Sequence, residues 1–198
     1  CECGSKDFLS LGYGTERAYE ELRYFFPNAK ITRLDSDVSS NEIRHQVLEQ
    51  FADGETDIIV GTEIIAKGHD FPKVTLAAIL DADSSLRIPS YTANEDTFDL
   101  ISQFVGRAGR KDLKGRVLLQ TYNPNNEVIQ LGAKQDYDTF YLKEMEERKK
   151  YKYPPYTYLS SINIKGVDLK EVLSIADQIK NYLLKKTAGL RFDIFGPS

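Results

Sequence analysis

The 198-residue sequence holds only two cysteines, Cys1 and Cys3, both at its start. They are too close together to frame a disulfide-bonded fold. A tetrahedral zinc site takes four ligands, commonly drawn from Cys-x-x-Cys pairs. Cys1-Glu2-Cys3 therefore supplies at most half a site, at unusual spacing. The alternatives are an incomplete metal site and a reduced surface pair, and the position of the pair suggests a chain cut from a longer one. No apolar run approaches the roughly 20 residues of a membrane-spanning helix, and no secretory leader pattern is present, so a soluble, cytoplasmic protein is expected. Basic residues are not in excess: 26 Lys and Arg stand against 30 Asp and Glu, for a formal net charge of −4. The pI is about 5.3. This excludes the uniformly basic coat that binds nucleic acid nonspecifically, and any such contact must be local or made by backbone amides. There is no internal repeat and no low-complexity segment. No G-x-x-x-x-G-K-[ST] occurs, nor a D-E-x-H after it. Those segments supply a phosphate cradle and Mg2+ ligands, so this chain alone is not expected to hydrolyse ATP.

With 41% hydrophobic residues, the chain is sufficient for one large domain or two small ones. Its most informative stretch runs from Gly61 to Arg110, opening GTEIIAKGHDF and closing QFVGRAGR. Gln103, Arg107 and Arg110 are spaced four and then three apart, which puts all three on one helix face. Arginine presents a rigid fork of donors suited to phosphate oxygens. Gly106 and Gly109 remove side chains beside those arginines, leaving room for another backbone or a nucleotide. Each glycine inside a helix costs about 1 kcal/mol relative to alanine, so two call for a reason of packing or function.

In chain order, Gly12-Tyr13-Gly14 is a turn, and Thr15 is expected to cap a helix reaching about Phe26, with Ala18, Leu22, Phe25 and Phe26 as its apolar stripe. A capped start beside glycines suits an anion, because first-turn amides are unpaired; it equally suits an ordinary capped helix. A strand is expected over Lys30–Leu34. Ser39 and Glu42 form a capping box for a helix from Asn41 to Ala52, with Ile43, Val47 and Phe51 inward and Gly54 closing it. Strands follow over Asp57–Val60 and Val74–Asp81, the second reading as buried on both faces. After a loop, Asn94 is expected to cap a helix carrying Phe98, Ile101, Phe104 and Val105. Arg116–Tyr122 is a further strand, and Asn126–Ala133 and Asp136–Tyr151 are helices. At the end of the latter, Arg148, Lys149, Lys150 and Lys152 interleave with Tyr151 and Tyr153. That run is either a solvated helix end or a contact for a nucleic-acid backbone. Pro154-Pro155 marks a boundary. Beyond it a strand (Tyr156–Lys165), an amphipathic helix (Leu169–Lys186; Val172, Leu173, Ala176, Ile179 and Leu183) and a strand (Leu190–Phe195) are expected. The fold class is α/β: a parallel sheet with helices on both faces, then a small truncated α+β domain. Function belongs at the strand carboxyl ends, where Gly61-Thr62 lies.

Gln103 to Arg110 fits Q-x-x-G-R-x-G-R, the last motif of superfamily-2 helicases, at every fixed position, and the G-T…K-G-x-D-F stretch resembles the motif before it. Taken with RLDSD, DIIVGTEIIAKGHDFPKVTLAAILDAD, GRVLLQTYNP and ERKKYKYPPY, the chain resembles the bacterial replication-restart helicases, the primosomal N′ family, over nearly its whole length. The resemblance implies a RecA-like second helicase lobe over residues 1–152 and the start of a C-terminal domain over 153–198. It implies a 3′–5′ DNA helicase driven by ATP with Mg2+, the latter held mainly by the other lobe. Expected partners are forked and single-stranded DNA, primosome proteins, the helicase loader and single-stranded DNA-binding protein, and a monomer is expected. It carries Gln103, Arg107 and Arg110 onto the ATP phosphates, one arginine acting as a finger. Gly68 and Asp70 would couple nucleotide to DNA, and Thr15, Gly61 and Thr62 would touch the DNA backbone. His69 reads as a packing histidine or a catalytic one. Cys1 and Cys3 correspond to the end of a zinc-binding insertion, one residue short of Cys-x-x-Cys and without the remaining family cysteines.

The sequence departs from the family at Glu63, where glutamine is usual and a carboxylate would repel a phosphate. Ser90-Tyr91-Thr92 stands where D-F-R is usual, and Asp96 where arginine is usual. A second reading makes the chain a stand-alone module binding DNA or primosome partners without catalysis.

Overall fold

The structure, a computed structural model, describes residues 14–35, 41–66, 71, 73–107, 115–191 and 193–197. The chain divides into two compact units, Cys1–Tyr153 and Pro154–Ser198. The first is α/β. Its described elements are α1 (Thr15–Phe25), β1 (Ile31–Leu34), α2 (Asn41–Asp53), β2 (Ile58–Gly61), β3 (Leu76–Ile79), α3 (Ala93–Arg107), β4 (Arg116–Leu119), α4 (Glu127–Lys134) and α5 (Tyr137–Tyr151). Short 3-10 turns follow β2 (Glu63–Ala66) and β3 (Ser85–Arg87).

Both strand pairings are parallel, as expected from strands separated by helices. β1 pairs with β2, Ile31 opposite Ile58 and Leu34 opposite Gly61. β3 pairs with β4, Leu76 opposite Arg116 and Ile79 opposite Leu119. Among the described residues these form two separate two-stranded ribbons rather than one sheet. β3 is not buried on both faces. Ile79 is buried while Leu76, and on β4 Leu118, opposite Ala78, are 55% and 57% exposed, because helix packing covers one face of the ribbon only.

The first ribbon packs on α1 and α2, with Leu34, Leu48 and Phe71 at the centre of its core. Leu48, not Ile43, is the deepest residue of α2; Ile43 is 52% exposed, so the inward face is rotated from the expected stripe. Gly54 ends that helix at φ +84°, its amide donating to the Phe51 carbonyl, the left-handed stop that glycine permits. The second ribbon packs on α3, where Ile79, Ala82, Ile101 and Ile129 form the core. α3 and α4 approach closely: a Cβ on Gly132 would sit 3.1 Å from the Ile101 side chain. Asn126 caps α4 by accepting from the Val128 and Ile129 amides, and Asp136 caps α5 by accepting from Thr139.

Several sequence expectations are corrected. Thr15 is the first residue of α1, not its cap; Gly14 takes that position with no side-chain bond. Of the expected α1 stripe, Ala18 is buried but Phe25 and Phe26 are 67% and 52% exposed. Asn94 lies inside α3, which begins one residue earlier, and its amide donates to Glu144 on α5 instead of capping. Ser39 of the expected capping box is outside the described residues.

Among the described residues the second unit contains one element, α6 (Leu169–Lys186), capped by Asp168 through the Lys170 amide. The expected strands over Tyr156–Lys165 and Leu190–Phe195 do not form among the described residues. A strand needs a neighbouring strand to pair with its amides and carbonyls, and among the described residues of this unit there is no second strand. No residue of α6 is buried.

Candidate nucleotide and nucleic-acid site

Gly61 ends β2 with its backbone pressed against β1. A Cβ there would lie 2.3 Å from the Leu34 carbonyl oxygen and 2.5 Å from Ile65 Cδ1. Only glycine fits, and the approach fixes where the following turn begins. Thr62 comes next at the strand's carboxyl end. Its side chain is exposed, and its carbonyl accepts from the Ile65 amide at 3.1 Å. Glu63 reaches the neighbouring turn. Its Oε1 accepts from the hydroxyl of Ser85 at 3.3 Å, and Ser85 is buried. The turn after β2 is thereby tied to the turn after β3, and both turns pack against α3.

The turn after β3 is fixed at a second point. Asp83, 8% exposed, accepts from Thr121 Oγ1 at 2.9 Å and the Tyr122 amide at 2.8 Å, joining the carboxyl ends of β3 and β4. Asp81, at φ +56°, pairs with Arg87. Neither aspartate drew notice in the sequence; the Asp-Ala-Asp run after a strand was the available signal.

α1 begins beside β1. Arg33 bridges Glu16 at 3.5 Å and Asp35 at 3.0 Å. Thr15 is half-buried at the first helical position, and Gly14, at the cap position, makes no side-chain bond to the helix start.

α3 carries Gln103, half-buried, and ends at Arg107. Gly106 admits a neighbour: its Cβ would lie 3.0 Å from the Gln135 amide nitrogen, which donates to the Ser102 carbonyl at 3.2 Å. Gln135 sits in the left-handed cap of α4, so the close approach expected beside the arginines is filled on this side by an amide from α4. The side chain of Arg107, and all of Cys1, Cys3, Gly68, His69, Asp70, Gly109 and Arg110, lie outside the described residues. The structure thus seats the turn that opens at Glu63 against α3, holds Gly61 against Leu34 on β1, and leaves the remaining expected contacts undescribed. Among the described residues no group of three or more His, Cys, Asp or Glu is positioned for a metal ion, and no helix is long and apolar enough to cross a membrane.

The basic run at the end of α5 divides. Arg148 is only 12% exposed at its side chain. Its Nε donates to Glu144 at 2.9 Å and its Nη2 to Glu95 at 2.5 Å, and its guanidinium lies 5.4 Å from the centre of the Tyr91 ring. It is a structural cation joining α3 to α5. Lys149, Lys150 and Lys152 are exposed.

Parallel strands whose carboxyl ends lead into turns seated on a Q-x-x-G-R helix define an α/β domain of the kind found in the C-terminal part of helicases. Comparison with known proteins agrees: residues 7–112 match the helicase conserved C-terminal domain, and the chain belongs to that family. It is 41% identical over its full length to the replication restart protein PriA of Bacillus subtilis, covering 24% of that protein. It is 48% identical over 157 residues, 79% of the chain and 21% of the relative, to the PriA of Chlamydia trachomatis. To that of Thermotoga maritima it is 36% identical over 182 residues, 91% of the chain and 24% of the relative. The chain corresponds to the helicase C-terminal region of these restart proteins and spans about a quarter of their length.

Proposed function

We propose that this chain is the second, RecA-like lobe (residues 1–152), with the start of a C-terminal α+β domain (153–198), of an ATP-dependent 3′–5′ DNA helicase that acts on stalled or branched forks and restarts replication through primosome assembly. The observation that carries the reading is the family match over residues 7–112, which spans both glycine-rich segments, together with relatives named as replication restart proteins.

In this reading MgATP is held chiefly by a P-loop lobe that these 198 residues do not include. Arg107 and Arg110 reach its phosphates across the cleft, and one of them stabilises charge on the transferring phosphoryl group. Gln103, one turn earlier on α3, orients the nucleotide. Gly68 and Asp70 transmit its state toward DNA, and Thr15, Gly61 and Thr62 meet the DNA backbone. Gly61 contributes through backbone, as its close approach to Leu34 supports. Cys1 and Cys3 supply two thiolates toward a zinc site that needs further ligands. The working partners are forked and single-stranded DNA, primosome proteins, the helicase loader and single-stranded DNA-binding protein.

The test is Arg107→Ala and Arg110→Ala in the two-lobed protein. Loss of a finger lowers phosphoryl transfer by about a thousandfold or more, so DNA-stimulated ATP hydrolysis is expected to collapse while folding is unchanged. Undiminished hydrolysis in both variants defeats the reading. So does ATP turnover by the 198-residue chain alone that Arg110→Ala abolishes.

A further inference from the structure

The two parallel ribbons of the first unit rest on separate cores, and a hydrogen bond joins the turns that leave them. In the turn after β2, Ile65 packs on the core of Leu34, Leu48 and Phe71. In the turn after β3, Leu86 packs on the core of Ile79, Ala82, Ile101 and Ile129, together with Phe104 and Val105 of α3. The residue before Leu86 is Ser85, and its hydroxyl donates to Glu63, two residues before Ile65, at 3.3 Å. The second turn is a firm base for that bond. Asp83 ties it to the end of β4 through Thr121 and the Tyr122 amide. Asp81 and Arg87 pair across it, and the Arg87 amide donates to the Asp83 carbonyl at 3.2 Å. Ser85 is 6% exposed and so is closed to any ligand. Glu63 is exposed and directly follows Thr62, whose carbonyl accepts from the Ile65 amide. What Ser85 grips is therefore the turn that Thr62 belongs to.

We infer that Ser85 is a positioning residue that couples α3 to the Gly61-Thr62 turn. The inference rests on the roles proposed above for α3 at the nucleotide and for Gly61 and Thr62 at the DNA backbone. A close-packed core moves as a piece rather than deforming continuously, so a shift of α3 carries Leu86 with it. Ser85 moves with Leu86, its hydroxyl draws Glu63, and Thr62 follows through the short turn. Without the bond each turn is held only by its own core, and the two ribbons respond separately. The coupling has a sign that distinguishes it from simple charge. A carboxylate that merely stood near DNA would repel phosphate, and its removal would strengthen the response to DNA. As the acceptor of Ser85, its removal loosens the turn and weakens that response.

The test is ATP hydrolysis by the two-lobed protein at saturating ATP, measured across oligothymidylate concentrations. Ser85→Ala is expected to raise the oligothymidylate concentration for half-maximal stimulation about fivefold or more, the lower end of ordinary coupling between sites. Hydrolysis without DNA is expected to stay at the parent rate. Glu63→Ala should raise the half-maximal concentration by a similar factor. Glu63→Gln keeps the acceptor oxygen and should not raise it. Both alanine substitutions remove the same contact, so together they should do no more than either alone. A merely structural role would lower the melting temperature and both rates in parallel and leave the DNA dependence where it was. Because Glu63 is exposed, its variants carry the test even where Ser85→Ala fails to fold. The inference is overturned if folded Ser85→Ala keeps the parent's half-maximal concentration, if Glu63→Ala lowers it, or if the two effects simply add. Hydrolysis lost in Arg107→Ala beside an unaltered DNA response in Ser85→Ala removes the coupling and leaves the motor reading standing. A parent protein whose hydrolysis ignores DNA overturns both.

Discussion

The hydroxyl of Ser85 donates to the carboxylate of Glu63 at 3.3 Å, joining the turn after one parallel ribbon to the turn after the other. A carboxylate in the glycine-threonine segment looks misplaced for a phosphate-facing motif. Here it is spent on another turn of the same unit. Glutamine keeps an acceptor oxygen of the same reach, so Glu63→Gln is expected to preserve stability, whereas Glu63→Ala leaves the buried Ser85 hydroxyl without this acceptor and costs about 1–2 kcal/mol. Urea unfolding of the two variants separates the cases; equal losses would mean that the contact holds nothing together.

Arg148 makes the second prediction. It bridges Glu144, one turn back on α5, to Glu95 on α3, 53 residues away, and Glu144 is itself buried and also accepts from Asn94. Removing the guanidinium strands a carboxylate that has little access to water. Arg148→Ala is therefore expected to cost about 3 kcal/mol. Arg148→Lys keeps the charge but lacks the fork that reaches both acids, and falls between. A loss under about 0.5 kcal/mol in Arg148→Ala, the range of ordinary surface changes, would show that the pair is solvated and idle.

Gly61→Ala tests the close approach of β2 to β1. The added methyl meets a backbone carbonyl at 2.3 Å, and neither strand can yield without breaking the register of Leu34 against Gly61. A loss of about 3 kcal/mol or failure to fold is expected, beyond the usual range for single substitutions. Gly132→Ala meets Ile101 atoms at 3.1 Å and is expected to cost less, because a side chain can shift. If the order of the two is reversed in denaturant titrations, the β2 contact is looser than its geometry.

What the sequence disclosed and what it hid divide along physical lines. Elements with local signals were legible: Gly54 as a left-handed stop, Asn126 beside α4, the apolar run of β2, and the whole of α6. The Q-x-x-G-R helix was legible because its spacing is a local rule. Signals that depend on distant chain were not. Nothing near Arg148 announces Glu95, so a structural cation read as part of a basic tail. Burial of Leu48 in place of Ile43 depends on how α2 is rolled against β1, which a stripe of several apolar residues leaves open. Thr15 is a strong capping residue by type, yet Gly14 takes the extended conformation that the position needs. Strands in the second unit were inferred from composition, and composition does not supply the neighbouring strand that pairing requires.

The last prediction concerns pH. Asp99 lies on α3 one turn beyond Glu95, and its pKa is held above the ordinary carboxylate value by partial burial first, then by Glu95 and Asp96. Between the ordinary value and the raised one, the folded chain binds more protons at this site than the unfolded chain. Stability from this group therefore rises as pH falls through that window, and above it the ionised carboxylate opposes folding. Asp99→Asn removes the charge. It is expected to raise the melting temperature slightly at neutral pH, with the gain shrinking through the carboxylate range and vanishing below it, where the aspartate of the parent chain is already neutral. Because the site is largely open to solvent, the gain should also shrink in high salt. Melting curves across pH decide it. A gain that persists unchanged below the carboxylate range would come from packing or helix propensity, and the electrostatic account of Asp99 would then be wrong.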